Sequence, residues 1–176
     1  ILEFDQNVNI KERRSSWEKR LMEDASWIAC SSEYLKTKLE KRFFRDDIAV
    51  INNAASLIDY REPLSFKAIK LIEKIKSSFS VIYTGTISSW FDWELIEKCI
   101  DKFRNVIFFI IGPFETKIIT HERIIMPGPV PHQDVRSIIE NADVLIMPFK
   151  INELVRSVNP VKAYEYIGSG KLVLLP

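Results

Sequence analysis

From Ser80 onward, apolar residues come in short unbroken runs separated by amphipathic stretches. Val81–Tyr83, Val106–Ile111, Ile124–Met126, Val144–Met147 and Leu172–Leu175 read as strands buried on both faces, because none of them alternates apolar with polar residues. Trp93–Phe103, Val135–Asn141 and a short stretch beginning at Asn159 repeat apolar positions at helical spacing. Strands of this kind alternating with amphipathic helices predict an α/β protein with a parallel sheet covered by helices on both faces. Upstream, Trp17, Leu21 and Ala25 stand four apart in Ile10–Asp24 and give one apolar stripe, expected to pack on a sheet. Ser26–Cys30 reads as a strand, Ser31-Ser32-Glu33 as a helix start, Tyr34–Phe44 as its helix and Ile48–Ile51 as a second strand. Asn52-Asn53 punctuates the chain before a linker over Ala54–Pro63, and Phe66–Ile75 is a short amphipathic helix.

The stretch Asn159–Gly170 carries the densest local signals. Asn159 suits an N-cap, Pro160 the first helical position, and Gly168 and Gly170 a helix stop. The free amides of such a start suit a phosphate, with Lys162 just inside and Glu165 one turn along. An exposed helix with a Lys162–Glu165 ion pair fits the same residues.

In open parallel sheets, ligands bind beyond the carboxyl ends of the strands. The candidate edge therefore comprises Thr84–Ser89, Gly112–Glu115, Gly128–His132, Pro148–Ser157 and the Asn159 helix start. Gly85, in Thr-Gly-Thr, would let the backbone approach a ligand or make a tight turn. Arg156 and Lys162 flank the helix start and suit a diphosphate. Trp90, Phe91 and Trp93 suit a pocket wall or core packing. Gly-x-Gly-x-x-Gly, a Gly-Lys-Ser/Thr phosphate loop and Gly-x-Ser-x-Gly are all absent from the sequence. His121 and His132 have no neighbouring metal-ligand set, and no Asp-x-Asp occurs, so no metal is expected.

Composition narrows the partners. The 176 residues are 47% hydrophobic and carry 25 Lys and Arg against 24 Asp and Glu, so the chain can bury a core and has no basic field for nucleic acid. Cys30 and Cys99 read as reduced, packed thiols, which fits a cytoplasmic location. No apolar run approaches the ~20 residues that cross a bilayer. A start without Met and an apolar strand just before Pro176 suggest a fragment.

The order of pieces resembles the C-terminal domain of group 1 glycosyltransferases of the two-domain GT-B fold. The residues that carry the resemblance are Tyr83-Thr84-Gly85-Thr86, Ile110-Ile111-Gly112-Pro113, Gly128-Pro129-Val130-Pro131, Ala142-Asp143-Val144, Met147-Pro148-Phe149 and Asn159-Pro160-Val161-Lys162-Ala163-Tyr164-Glu165-Tyr166. Upstream, Ala25–Ser32, Tyr34-Leu35 and Ile51-Asn52-Asn53-Ala54-Ala55 look like the end of the family's N-terminal domain. The resemblance implies a Rossmann-like donor domain over 64–176, a linker over 54–63 and the last elements of an acceptor domain over 1–53.

It further implies a nucleotide-sugar donor, with its base near Val130 in the Gly128–Pro131 loop and its ribose on Glu165. The diphosphate would meet Gly85, Thr86, Gly112, Arg156, Ser157, Asn159, Pro160 and Lys162. Transfer to an acceptor hydroxyl would need no metal and no cofactor. The acceptor, a saccharide or lipid-linked saccharide, and any catalytic base would lie in the N-terminal part, as would any peripheral membrane contact, and the fragment alone would transfer little. Two places depart from the family pattern: Ser157 stands where many members have a first glutamate, separated from the second by seven residues, and Thr86–Phe91 lacks their Arg and Lys. A nucleotide-sugar 2-epimerase and a non-catalytic GT-B binding module are the alternative readings.

Overall fold

The structure, a computed structural model, describes the backbone of residues 8–56 and 63–176 and, within these, the side chains from residue 15 onward. Of the expected linker over 54–63, residues 57–62 lie outside the described residues. The chain forms two compact units. One runs to Asn53 and takes in Asn152–Asn159; the other comprises Ala54–Ile151 and Pro160–Pro176.

The first unit holds helix α1 (Val8–Asp24), strand β1 (Ile28–Cys30), helix α2 (Glu33–Phe43), strand β2 (Ile48–Val50) and, far along the sequence, helix α6 (Glu153–Ser157). β1 and β2 pair in parallel, Ile28 opposite Ile48, over a small core of Met22, Cys30 and Ile48. Ser32 caps α2: its hydroxyl accepts the Leu35 amide at 3.2 Å and donates to the Ser157 carbonyl at 2.8 Å, so one side chain starts a helix and seats α6. Lys38 adds an ion pair to Glu153. On α1 the expected apolar stripe is largely exposed: Trp17 and Leu21 are 57% and 67% exposed, while Met22, one position round the helix from Leu21, is buried.

The second unit is a five-stranded sheet built from β3 (Phe79–Thr84), β4 (Val106–Ile111), β5 (Ile124–Ile125), β6 (Val144–Ile146) and β7 (Leu172–Leu174). The order is β5-β4-β3-β6-β7 and every pairing is parallel. Helices α3 (Phe66–Lys76), α4 (Trp93–Lys102), α5 (His132–Ile139) and α7 (Val161–Gly168) cover it. The strand period of two divides the core in two. Ile82, Phe109, Ile111 and Leu145 meet α3, α5 and α7 on one face, while Val81, Tyr83, Phe108, Ile110 and Val144 meet α4 on the other.

A buried carboxylate fixes two of these helices. Asp134, in the first turn of α5 and with no exposed surface, accepts the Ser65 amide at 3.2 Å and the Ser65 hydroxyl at 2.5 Å, while Ser65 caps α3 by accepting the Ala68 amide. Both cysteines are free thiols. Among the described residues, no helix is long and apolar enough to cross a membrane, and no cluster of three His, Cys, Asp or Glu could hold a metal ion.

Candidate functional site

The chain runs outward from β3 to β4 and β5, then returns to place β6 on the other side of β3. At such a reversal the connections leave the sheet on opposite faces and open a crevice beyond the strand ends. A cleft of about 420 Å³ lies there. Thr84 and Gly85 from the end of β3, Gly112 and Pro113 from the end of β4, Pro129 and Val130 after β5, His132 and Val135 of α5, and Val161, Lys162 and Glu165 of α7 form its walls.

Backbone hydrogen bonds tie these loops to one another. Gly85 N–H donates to Ile111 O at 2.8 Å, Ile87 N–H to Pro113 O at 2.9 Å, and Gly112 N–H to Gly128 O at 3.2 Å. The packing leaves no room for a side chain at Gly112, and at Gly85 only if Lys162 moves aside. Gly85 has φ +140° and Gly112 φ +145°, conformations that favour glycine. A Cβ on Gly112 would overlap the Gly85 carbonyl oxygen, and a Cβ on Gly85 would overlap Lys162 Nζ.

Lys162 reaches over this turn. Its ammonium stands 5.4 Å from the Tyr83 ring centroid, a cation–π contact, and forms no ion pair with Glu165 among the described residues. Burial holds its pKa below the ordinary lysine value, with the Glu165 charge opposing. The result is a partly desolvated cation beside a glycine turn. Glu165 borders both this cleft and a smaller hollow of about 150 Å³ that shares His132, Val135 and Val161 with it and extends to Ala54, Ala55, Ser56, Arg136 and Ser169.

Of the residues singled out in the sequence, Gly85, Gly112, Val130, Lys162 and Glu165 come together around the cleft. Thr86 is next to it in the chain and accepts the Tyr83 hydroxyl on its carbonyl at 2.8 Å. Arg156, Ser157 and Asn159 belong to the other unit. The stretch Pro148–Ser157 is not all loop: Asn152 accepts the Val155 amide at 2.9 Å and starts α6. Ser157 spends its hydroxyl on Glu153 O and its carbonyl on Ser32.

The start of α7 also differs from expectation. Pro160, at φ −75° and ψ 123°, is extended and occupies the cap, Val161 is the first helical residue, and no side chain caps the helix. Asn159 instead presents its carbonyl to Asn53 Nδ2. Helix α5 begins at His132, three residues earlier than its apolar pattern indicates, and so brings His132 to the cleft. Phe91 is fully buried and Trp93 packs on it with ring centroids 4.6 Å apart, so both serve the core.

An all-parallel sheet with a glycine-turned cleft at its reversal is a Rossmann-like ligand-binding architecture. Solved structures narrow this to the GT-B glycosyltransferase fold. Anabaena HepE, solved with UDP and glucose, matches with TM-score 0.68 at 15% identity over 99% of this chain and 50% of that one. A variant of S. aureus TarM, solved with fondaparinux, alpha-GlcNAc-glycerol and UDP, matches with TM-score 0.66 at 11% identity over 93% of this chain and 32% of that one. In sequence, the chain is 24% identical over 170 residues to TuaH of Bacillus subtilis (strain 168), named as a teichuronic acid biosynthesis glycosyltransferase. That alignment takes in 90% of this chain and 42% of TuaH, so the chain spans less than half the length of this curated relative. No family profile matches. Sequence and fold together relate the chain to the glycosyltransferases.

Proposed function

We propose that the second unit is the donor-binding domain of a glycosyltransferase that takes a nucleoside-diphosphate sugar and transfers the sugar to an acceptor hydroxyl. The observation that carries this reading is the convergence of Gly85, Gly112, Val130, Lys162 and Glu165 on one cleft at the sheet reversal. The glycine turns admit a diphosphate close to the backbone, and the Lys162 ammonium faces its charge. Glu165, between the cleft and the smaller hollow, accepts the ribose hydroxyls, and the base lies against Pro129 and Val130. As the sugar leaves, negative charge gathers on the nucleoside diphosphate. Lys162 and the uncapped amides at the start of α7 stabilise it electrostatically, which is the role a divalent ion would otherwise fill. The acceptor, read as a saccharide, is the business of a longer protein of which this chain is a part. UDP as the donor nucleotide is supported by the solved complexes of HepE and TarM with it.

Calorimetric titration with UDP tests the reading. Lys162→Ala removes a charge-assisted contact worth about 1.5–3 kcal/mol, so affinity should fall about ten-fold or more, and Glu165→Ala should weaken binding of UDP but not of pyrophosphate. Unchanged UDP affinity in both variants refutes the assignment.

A further inference from the structure

The turn after β3 is gripped from both faces of the sheet. Tyr83, on the face covered by α4, donates its hydroxyl to Thr86 O at 2.8 Å. Tyr166, on α7 and fully buried in the opposite core, accepts the Thr84 amide at 2.7 Å and stands 3.2 Å from Thr84 Oγ1. Register explains why Thr84 needs this partner. β6 pairs with β3 only at Val81–Val144 and Ile82–Leu145, so on that side the strand ladder stops two residues short of Thr84. Without Tyr166 the buried Thr84 amide would have no acceptor. Burial pushes both phenols far above their ordinary range, which keeps the two hydroxyls protonated.

This grip matters because residues 86–91 contain no Arg or Lys, so besides the Thr86, Ser88 and Ser89 hydroxyls the turn offers an anion its backbone amides. The Thr86 amide makes no hydrogen bond to another described residue. Backbone donors are useful to a diphosphate only if they are held in one orientation before it arrives. The same helix that bears Tyr166 carries Lys162 one turn earlier, so α7 touches the turn at Thr84 and at Gly85 together.

We propose that Tyr83 and Tyr166 are positioning residues that fix the Thr84–Gly85–Thr86 backbone in the orientation that receives the donor diphosphate, an inference that rests on the nucleotide reading above. UDP and uridine are the probes, titrated against the wild-type chain, Tyr83→Phe, Tyr166→Phe and the double variant. Each phenylalanine should weaken UDP about ten-fold, the scale of one lost buried hydrogen bond, and leave uridine affinity unchanged. Without ligand, amide hydrogen exchange at Thr84 should quicken in Tyr166→Phe and stay as in the wild type in Tyr83→Phe. A loss shared equally by UDP and uridine, or no loss of either, overturns the proposal. Should Tyr166→Phe fail to fold, Tyr83→Phe alone decides it, because that change leaves every backbone amide with its partner. A wild type that does not prefer UDP to uridine refutes the nucleotide reading and this inference with it; a wild type that does, with phenylalanine variants to match, refutes the tyrosines alone.

Discussion

Replacing Gly112 by alanine tests the close packing of the two turns on which the cleft depends. At φ +145° any L side chain is strained by about 1–3 kcal/mol. The new methyl would also overlap Gly85 O and stand 2.7 Å from Gly85 C, and this neighbour is backbone, unable to rotate away. Relief requires the β4 turn to retreat. That breaks Gly85 N–H to Ile111 O or Gly112 N–H to Gly128 O, each worth about 1 kcal/mol. Strain, collision and a lost bond together come to roughly 3–5 kcal/mol, which for a chain of this size lowers the melting temperature by roughly 6–20 °C. Gly128→Ala is the control, because that glycine also has positive φ but a Cβ there would meet nothing within 4 Å. Thermal unfolding followed by circular dichroism should rank wild type, Gly128→Ala and Gly112→Ala in falling order. A Gly112→Ala protein that melts with Gly128→Ala would show that the turns are not in contact and that the cleft is built differently.

Asp134→Ala strips the Ser65 amide and hydroxyl of their acceptor, so the urea midpoint should fall by the equivalent of about 2–3 kcal/mol, with Asp134→Asn between the two; a midpoint equal to that of the wild type contradicts the buried link. Lys162 gives a pH signature. Its folded pKa lies below the ordinary value of 10.5, so between the two the unfolded chain binds more protons and stability rises with pH. Lys162→Met should therefore be the more stable protein at neutral pH, with its advantage shrinking as pH rises through that window, and a constant or widening gap in paired melts would contradict burial of the charge. UDP affinity runs the opposite way: in the wild type it should fall as Lys162 loses its proton below pH 10.5, and Lys162→Met should show no such fall.

Most of the sheet was legible because its signal is local. Runs such as Val106–Ile111 contain no polar residue, are too short for a helix and end at Gly112-Pro113, which together point to a strand covered on both faces. The glycines that close β3 and β4 could be found for the same reason, since each follows directly on a strand. Other features depend on partners far along the chain. Tyr166 reads as one more apolar position of α7, and its role appears only when Thr84, 82 residues earlier, is brought beneath it. Ser157 reads as a gap in a carboxylate pattern, whereas its carbonyl seats α6 on Ser32, 125 residues away.

The short helices near the cleft were less legible, because their local signals are ambiguous. Proline fits both the cap and the first helical position, so Asn159-Pro160 cannot by itself say where α7 starts. Helix α6 has only five residues, too few to show a period, although Asn152 followed by Glu153 carried a cap signal. On α1 the four-residue spacing of Trp17, Leu21 and Ala25 is real, but a period marks a face and does not say how deeply it is buried.

The most direct test of the account is to map UDP on an isotopically labelled chain by amide chemical shifts. Saturable shifts are expected at Gly85, Thr86, Gly112, Val130, Lys162 and Glu165, and none centred on α2, β1 or β2. Shifts confined to the first unit, or no saturable shift at all, would contradict it.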